Sequence, residues 1–458
     1  MKRHDTIATI VFALIMAGTA IYWVNANHSW TVLGTLAAVF CFVLFVLLGI
    51  RTIPELSRYI LTSNPSDEAQ SYKIDNESKR AWFTIIGWIL LSRVLLLLIG
   101  YACLIIQNGY SDGLISKINE TWHIPGIDAS HYLGIAENGY VTEGDARLHI
   151  VFFPFLPILI KAIELFTGNY LVAGFVVSNL SSMVAALFAY ELARMNLSRN
   201  DAMRVVKYIF ILPAAFFFLI PMTESLFLAL SLMCIYFVRR QQWLIGCLCG
   251  ALAAFTRSPG LLLAVPVAIE FVRYLSTNYQ VVDRRVWIRR MAYAAGCLLT
   301  LSTGFLAYLY LNYDVTGNAF QYSIYQREHW FQKLYLFFDT ARYQTEYAVR
   351  TFLEGDSRSF LGMWLPNLVA IFSALIVMLM GVRKLNPAYT AYFLVYFAFV
   401  VGPTWLLSAP RYLVVAFPLA FAAAALTEEK SRDAVLTTVS IVGSLLYLAL
   451  FVTGYPVY

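Results

Sequence analysis

Long apolar runs separated by short polar segments dominate the chain. A helix of about 20 apolar residues is long enough to cross a bilayer. The apolar pattern therefore predicts an all-α polytopic membrane protein with about thirteen transmembrane helices. The predicted helices lie near residues 6–25, 31–50, 81–107, 169–192, 206–221, 224–238, 243–257, 259–274, 291–312, 361–381, 388–406, 411–426 and 433–453.

Residues 148–166 are also apolar, but their pattern differs from that of a span. Pro154 and Pro157 interrupt the run, and Lys161 and Glu164 lie within it. Proline inside a helix removes a backbone hydrogen bond, and charged side chains favour the headgroup region. The segment is therefore predicted to be a juxtamembrane helix on the outer surface.

Basic residues predict the orientation. With the N-terminus in the cytoplasm, most of the 33 lysines and arginines fall in cytoplasmic segments, as the positive-inside rule requires. Two substantial outer loops result, at 108–147 and 313–360. Residues 1–80 are predicted to be an N-terminal transmembrane hairpin with a cytoplasmic linker at 63–68, followed by one large domain at 81–458. The sparse outer loops and the extra hairpin favour a bacterial cytoplasmic membrane over the endoplasmic reticulum.

Composition supports the membrane prediction. The chain is 60% hydrophobic and 13% charged, with a mean hydropathy of +0.67, whereas soluble proteins carry about 25% charged residues. The net charge of +6 is scattered over short loops, which is typical of contact with headgroups rather than with nucleic acid. All six cysteines lie in apolar runs, so neither a disulfide framework nor a zinc site is predicted.

Four charged residues lie on the predicted outer side: Asp128 is in the first outer loop, and Glu224, Arg257 and Arg411 are at tight outer junctions of apolar helices. Charges in such places are costly when buried, so their occurrence on one face predicts a shared cavity. A carboxylate can take a proton from an attacking hydroxyl, and arginines can bind a phosphate leaving group. This set of residues fits the transfer of a group from a lipid phosphate, without a metal ion or other cofactor.

The same residues lie in motifs that resemble those of the GPI mannosyltransferase II (PIG-V type) family and its bacterial relatives, which are GT-C fold glycosyltransferases. The resemblance covers roughly residues 80–455. One departure is Ile127, where the family usually has Trp. The matching motifs, in the family's order, are Asp128-x-x-His131-Tyr132-x-x-Ile135-Ala136-x-x-Gly139-Tyr140, Phe152-Phe153-Pro154, Thr223-Glu224-Ser225-Leu-Phe, Thr256-Arg257-Ser258-Pro259-Gly260 and Pro410-Arg411-Tyr412.

The resemblance implies an inverting transferase with a GT-C catalytic domain at 81–458 and an extracytoplasmic active site in the first outer loop. The donor would be a polyprenyl-phosphate-linked hexose, with mannose favoured. The acceptor would be a hydroxyl of a lipid-linked compound or a glycan. Asp128 would act as general base, and Arg257 and Arg411 would bind the donor phosphate. The remaining residues assigned to substrate binding are His131, Tyr132, Glu224 and Tyr412.

Each assignment has a structural alternative. Asp128 could cap a helix, Glu224 and Arg257 could form a purely structural ion pair, and Arg411 could extend to the headgroups. His131 could be a packed loop histidine. A transporter or flippase of a lipid-linked sugar, and a pseudoenzyme that scaffolds another transferase, remain as alternative functions.

Two further residues need an explanation. Arg93 lies deep in the third predicted helix, where an arginine needs a partner or a function. A structural partner on a neighbouring helix is favoured. Trp330, in the second outer loop, is predicted to anchor the chain at the membrane interface.

Overall fold

The computed structural model describes residues 3–26, 30–62, 74–109, 127–279 and 282–458. This part of the chain is helical, with one isolated antiparallel bridge between Leu334 and Pro403. The all-α prediction is confirmed. The predicted linker at 63–68 and residues 110–126 of the first outer loop lie outside the described residues.

The described residues of the first half of the chain contain eight α-helices and two 3₁₀ segments. They are α1 (Arg3–Ala26), α2 (Val32–Thr62), α3 (Asn76–Asn108), α4 (Asp128–Asn138), a 3₁₀ helix (Asp145–Val151), α5 (Phe155–Thr167), α6 (Tyr170–Arg194), α7 (Arg199–Ile211), a second 3₁₀ helix (Ala215–Phe218) and α8 (Thr223–Arg239).

The second half continues in the same style. It contains α9 (Trp243–Thr256), a 3₁₀ helix (Ser258–Leu263), α10 (Ala264–Asn278), α11 (Arg284–Thr316), α12 (Gln321–His329), α13 (Phe337–Leu353), a π-helical turn (Phe360–Trp364), α14 (Leu365–Gly381), α15 (Pro387–Val401), α16 (Ala409–Val414), α17 (Pro418–Leu426) and α18 (Lys430–Val452).

Eight helices in the described ranges are long and apolar enough to cross a membrane, so the chain is an integral multi-pass membrane protein. The predicted number of thirteen is not confirmed. Helices α8, α9 and α15 contain 17, 14 and 15 residues, which is short for a span of about 20 residues. The full-length candidates are Asp5–Ala26, Val32–Leu61, Asn76–Gln107, Tyr170–Arg194, Ser258–Asn278, Arg284–Thr316, Ser357–Lys384 and Lys430–Val452.

Two predicted continuous helices are broken. The run at 206–221 splits between α7 and the 3₁₀ helix Ala215–Phe218, with Pro213 between them. The run at 411–426 splits between α16 and α17, where Pro418 begins the second helix. Proline lacks the N–H that a continuing helix needs, which explains both breaks.

The segment at 148–166 is interrupted, as predicted. The 3₁₀ helix Asp145–Val151 and α5 meet at 109°, and Pro154 lies at the bend. This geometry agrees with a segment that does not cross the bilayer as one straight helix. Its position on the outer surface stays a prediction, as does the orientation of the chain.

The N-terminal hairpin α1–α2 packs along the larger domain. The Trp23 indole donates a hydrogen bond of 2.8 Å to the Asp339 carboxylate on α13. The rings of Phe45 and Phe337 lie 4.3 Å apart. The domain boundary at residue 80 stays a prediction, but the hairpin contributes directly to the packing of the second outer loop.

Helix α8 lies in the core. It is buried along nearly its whole length and packs between α6 and α9, as an all-round apolar helix does. It begins beside Glu224 and ends at Arg239. At 1.5 Å per residue these two charges lie about 22 Å apart. The core helix therefore carries one charged residue at each of its own ends.

Candidate active site

A cavity of about 490 Å³ lies at the Glu224 end of α8. Its walls come from parts of the chain that are distant in sequence, among them α4, the turn after α9, the predicted second outer loop with α12, α16, and the C-terminal Val457 and Tyr458. Asp128, Arg257 and Arg411 all line it. The structure therefore brings together three of the charged residues for which a shared cavity was predicted.

Asp128 stands in the first turn of α4. The helix is capped by the extended backbone of Ile127 at its start and by Gly139, with φ +74°, at its end. A carboxylate in the first turn is stabilised by the helix dipole. Its Oδ2 atom accepts a hydrogen bond from Arg411 Nη2, so the carboxylate forms an ion pair rather than a helix cap. Ile127, which replaces the usual Trp, lines the cavity with an aliphatic side chain.

Two arginines share one carboxylate oxygen. Arg257 Nη1 lies 2.6 Å from Glu224 Oε1, and Arg411 Nε lies 3.0 Å from the same atom. Arg411 also binds Asp128. The four charges therefore form one connected chain, Asp128–Arg411–Glu224–Arg257. The formal charges of the chain cancel, which offsets the cost of burying each of them.

A tight turn presents Arg257. Its backbone is extended between α9 and the next 3₁₀ helix, where Pro259 follows. A Cβ atom at Gly260 would lie 2.3 Å from the Ala254 nitrogen, so only glycine fits there. The Arg-Ser-Pro-Gly sequence is thus explained locally, because it turns the chain sharply and leaves the arginine facing the cavity.

Helix α16 presents Arg411 and Tyr412. The Ala409 N–H donates to the Asn367 side chain at 2.8 Å, and the Tyr396 hydroxyl donates to the Tyr412 carbonyl, also at 2.8 Å. The Tyr412 ring lies 4.9 Å from the Arg257 guanidinium and 5.3 Å from that of Arg411, within cation–π range. Arg411 is 7% exposed, so it is held among these groups instead of extending to the surface.

Glu224 lies behind the cavity wall. It is 0% exposed and does not line the cavity. Its Oε2 atom has no hydrogen-bond partner in the described part of the chain. The contacts of Oε1 therefore make Glu224 a group that positions Arg257 and Arg411, whereas direct contact with a sugar stays a prediction.

The two other residues of the first motif differ in position. Tyr132 lines the cavity, and burial raises the pKa of its hydroxyl, which therefore stays protonated and can donate. His131 does not line the cavity. Its Nδ1 atom lies 3.1 Å from His149 Nε2, and its ring stacks on Phe152 at 4.8 Å. His131 thus has the environment of a packed loop histidine.

The second outer loop supplies cavity residues that the sequence did not single out. Trp330, predicted as a membrane anchor, lines the cavity together with Gln326, Gln332 and Lys333. The Lys333 carbonyl accepts a hydrogen bond of 2.8 Å from the Thr404 N–H, which fixes the backbone at the cavity mouth. The density of amides and aromatic residues at 321–330 was the available signal, but it did not identify the residues that face the cavity.

Arg93 lies outside this site. It is 5% exposed and donates to the Ser182 hydroxyl on α6 at 3.1 Å. Its guanidinium also lies 5.5 Å from the Phe210 ring. The prediction of a structural partner on a neighbouring helix is confirmed.

No group of three metal-ligating side chains occurs among the residues that the structure describes.

Two crystal structures of ArnT from Cupriavidus metallidurans are similar to the chain, one bound to undecaprenyl phosphate and one in the apo state. Their sequence identities are 16% and 14%, and their TM-scores are 0.46 and 0.45. Each match covers 77% of this chain but 62% of ArnT, so the chain spans less than two thirds of that protein's length. Neither a family model nor a curated protein matches the sequence.

Proposed function

We propose that the chain is a GT-C membrane glycosyltransferase that moves a hexose from a polyprenyl phosphate to a hydroxyl acceptor. The supporting observation is the chain Asp128–Arg411–Glu224–Arg257 at one cavity. It combines a carboxylate that can take a proton with two guanidiniums that can bind phosphate. Mannose as the sugar, and a lipid-linked or glycan acceptor, follow from the resemblance to the PIG-V type family.

Asp128 is the proposed general base. Its side chain is 25% exposed on the cavity wall, so an acceptor hydroxyl can reach it. Arg411 holds Oδ2, which leaves Oδ1 to receive the proton. General base catalysis of this kind contributes about 10²–10⁴-fold to rate.

The arginines are proposed to bind the donor phosphate. A sugar phosphodiester carries one negative charge, and the departing phosphate monoester gains a second. Arg411 and Arg257 each use only part of their five N–H donors on carboxylates, so donors remain for phosphate oxygens. Guanidiniums stay charged throughout, and they stabilise the leaving group most when its charge is largest.

The reaction then balances in one step. The acceptor oxygen forms a bond to the anomeric carbon, the bond from that carbon to the phosphate oxygen breaks, and the hydroxyl proton moves to Asp128. Attack opposite the phosphate inverts the anomeric centre. Tyr132 and Trp330 line the same cavity and offer a hydroxyl donor and an aromatic face to the sugar. The cavity is proposed to open on the extracytoplasmic side of a bacterial cytoplasmic membrane.

The test compares the wild type with Asp128→Asn, purified in detergent, with radiolabelled polyprenyl-phosphate mannose and a mixed lipid extract. We expect label in a new product with the wild type and at least about a hundredfold less with the variant. The matched control is Asp145→Asn, because Asp145 is exposed outside the cavity and should keep full turnover. Equal donor binding by the wild type and Asp128→Asn would separate a chemical role from misfolding.

Retained turnover in Asp128→Asn would remove the proposed base. If label stayed on the donor with every form, the mannosyl donor or transferase activity itself would be wrong. Other lipid-phosphate sugars would then be tested. Movement of intact labelled donor across proteoliposomes, without a new product, would favour a transporter.

A further inference from the structure

A second cavity, of about 600 Å³, lies at the other end of α8. It is lined by the C-terminal ends of α6, α8 and α10, by the start of α15, and by α2 of the hairpin. Four basic residues line it: Arg204, Arg239, Arg273 and Lys384. None of them belongs to the proposed transferase site, which is about 22 Å away along α8.

Arg239 is buried on the wall of this cavity without a carboxylate partner in the described part of the chain. It is 7% exposed, and it donates one hydrogen bond, of 3.2 Å, to the Tyr389 hydroxyl. The Glu270 carboxylate acts on Arg239 from beyond ion-pair distance, and Arg273 shares that carboxylate. The Tyr389 hydroxyl accepts from Arg239, so its own hydrogen remains available to an anion in the cavity.

Arg273 is only partly neutralised. It is 5% exposed, and its nearest carboxylate atom, Glu270 Oε2, lies 3.7 Å away. The other oxygen of Glu270 accepts a hydrogen bond of 2.6 Å from Tyr59. Arg273 Nε has no hydrogen-bond partner among the described residues. The two wall arginines and Glu270 therefore leave one positive charge in excess.

The other basic residues of the cavity are already paired. Arg204 binds Asp201, and Lys384 lies 2.8 Å from Glu428. Both of these pairs are more exposed than the wall arginines. The excess charge is thus concentrated where water is most excluded and where an anion would be bound most strongly.

We propose that this cavity binds a phosphate group, carried by a lipid headgroup or by a soluble phosphate. Two guanidiniums and the Tyr389 hydroxyl supply several N–H and O–H donors, and the oxygens of a tetrahedral oxyanion can accept hydrogen bonds from them. The cavity lies at helix ends, where both headgroups and dissolved anions have access. The volume exceeds that of a bare phosphate, so there is room for the group to which it is esterified.

The N-terminal hairpin contributes Tyr59 to the wall of this cavity. Its hydroxyl accepts a hydrogen bond from Arg273 and another, of 2.9 Å, from the Asn386 amide. Its ring lies 4.0 Å from the Arg273 guanidinium. Because Tyr59 is in α2, the hairpin holds one of the two arginines in place, and ligand binding here would be coupled to hairpin docking.

The test measures phosphate binding to the purified full-length protein in detergent. Inorganic phosphate, titrated against chloride at constant ionic strength, is expected to raise the thermal unfolding temperature of the wild type. Arg239→Gln should weaken binding at least about tenfold. The matched control is Arg240→Gln, because Arg240 is the next residue, also bonds a tyrosine hydroxyl at 3.1 Å, and does not line the cavity.

A second measurement identifies the source of the phosphate. Native mass spectrometry of protein purified with phosphatidylglycerol is compared with protein purified with uncharged diacylglycerol. Retention of phosphatidylglycerol by the wild type and Arg240→Gln, but not by Arg239→Gln, supports a lipid headgroup. A response to inorganic phosphate without lipid retention supports a soluble ligand.

Two results would overturn the proposal. One is no response of the wild type to either probe. The other is an equal loss of binding in Arg239→Gln and Arg240→Gln. Stability without ligand provides a further check: Arg239→Gln should unfold at the same temperature as the wild type or higher, because it removes the positive charge that is in excess of Glu270. A large fall would instead mean that Arg239 acts in packing alone.

Discussion

The two ends of α8 hold arginines in opposite electrostatic situations. After the predicted orientation, the cavity at the Glu224 end is named the outer cavity, its chain Asp128–Arg411–Glu224–Arg257 the outer network, and the cavity at the Arg239 end the inner cavity. At the Glu224 end, Arg257 lies 2.6 Å and Arg411 3.0 Å from a shared carboxylate oxygen. At the other end, Arg239 bonds a tyrosine hydroxyl and has no carboxylate partner in the described residues. All three arginines are less than 10% exposed, so the difference lies in their partners and not in their burial.

The difference in partners decides whether an arginine is held in place before a ligand binds or gains its main anionic partner from the ligand. Paired arginines are held in one geometry before any substrate arrives. A phosphate therefore meets donors that are already positioned, but it must compete with the carboxylates that bind them. An arginine without a counterion gains more from any anion that enters. Removing a paired arginine leaves a carboxylate without its ion-pair partner, whereas no carboxylate in the described residues lies within ion-pair distance of Arg239.

The largest expected effect is that of Arg411→Gln. It leaves both Asp128 and Glu224 without their shared cation, which costs about 3–5 kcal/mol for a buried pair. It also removes a phosphate ligand, so turnover should fall about 10²–10³-fold. Both losses would appear together, in the transfer assay and in the thermal unfolding temperature.

The control for this variant is Arg350→Gln. Arg350 forms an ion pair with Glu354 at 2.9 Å, and its side chain is 67% exposed, so its removal should leave the unfolding temperature nearly unchanged. Comparable stability of Arg411→Gln and Arg350→Gln would mean that the outer network is not preorganised. The contrast between the two cavities would then be lost.

The second prediction converts the outer cavity towards the inner type. Glu224→Gln removes the charge that both outer arginines share while keeping the side-chain shape. We expect kcat to fall about ten- to hundredfold because the guanidiniums lose their fixed positions. Donor KM should fall or stay constant, because a phosphate no longer competes with a carboxylate.

Steady-state kinetics distinguish this from the alternative role of Glu224. If the carboxylate bound sugar hydroxyls directly, donor KM would rise in Glu224→Gln. The matched variant is Glu270→Gln, which alters the corresponding carboxylate of the other cavity. It should leave kcat unchanged and tighten phosphate binding beside Arg273.

The sequence predicted the outer network better than the inner one for a physical reason. Glu224, Arg257 and Arg411 stand at junctions of apolar runs, and Asp128 stands in the polar loop between two of them, so these positions are visible without a fold. Arg239 follows an apolar run and precedes Arg240, so it has the pattern of an ordinary cytoplasmic flank. Only the packing of α8 shows that one of these neighbours is buried on a cavity wall and the other is not.

The helical regions were also predictable from the sequence, but the residues at which individual helices end were not. Apolar periodicity identified helical regions, yet it could not show that Ala215–Phe218 forms a separate 3₁₀ helix or that α16 ends after six residues. Pro213 and Pro418 lie at these breaks, but the predicted apolar runs continue through both prolines and did not show where each helix ends.

The third prediction concerns pH and stability near the outer cavity. Burial lowers the pKa of His131, against the effect of Asp128, and burial together with His131 lowers the pKa of His149. The unfolded chain therefore binds more protons than the folded chain just below the ordinary histidine pKa of 6.5. Stability should fall as pH falls below about 6.5.

Thermal unfolding at about pH 7.5 and about pH 5.5 tests this. The fall in unfolding temperature should be smaller in His149→Gln, which removes one of the two half-buried titrating groups and retains a hydrogen-bonding side chain. His329→Gln, at the exposed end of α12, should behave as the wild type. An unchanged or larger fall in His149→Gln would contradict a role for the histidine pair.

The smallest expected effect is that of Lys333→Gln. Lys333 is exposed at the mouth of the outer cavity, and an exposed charge pair contributes about 1 kcal/mol or less. Donor KM should therefore rise about two- to fivefold, while kcat stays constant. Salt should diminish the difference, because exposed charges are screened.

Arg327→Gln is the matched control, since Arg327 lies near Lys333 in the same predicted loop but does not line the cavity. Its donor KM should equal that of the wild type at every salt concentration. A loss of kcat in Lys333→Gln would mean that this lysine, and not the paired arginines, meets the charge that develops on the leaving phosphate. The outer cavity would then resemble the inner one after all, with an unpaired cation as its main anion-binding group.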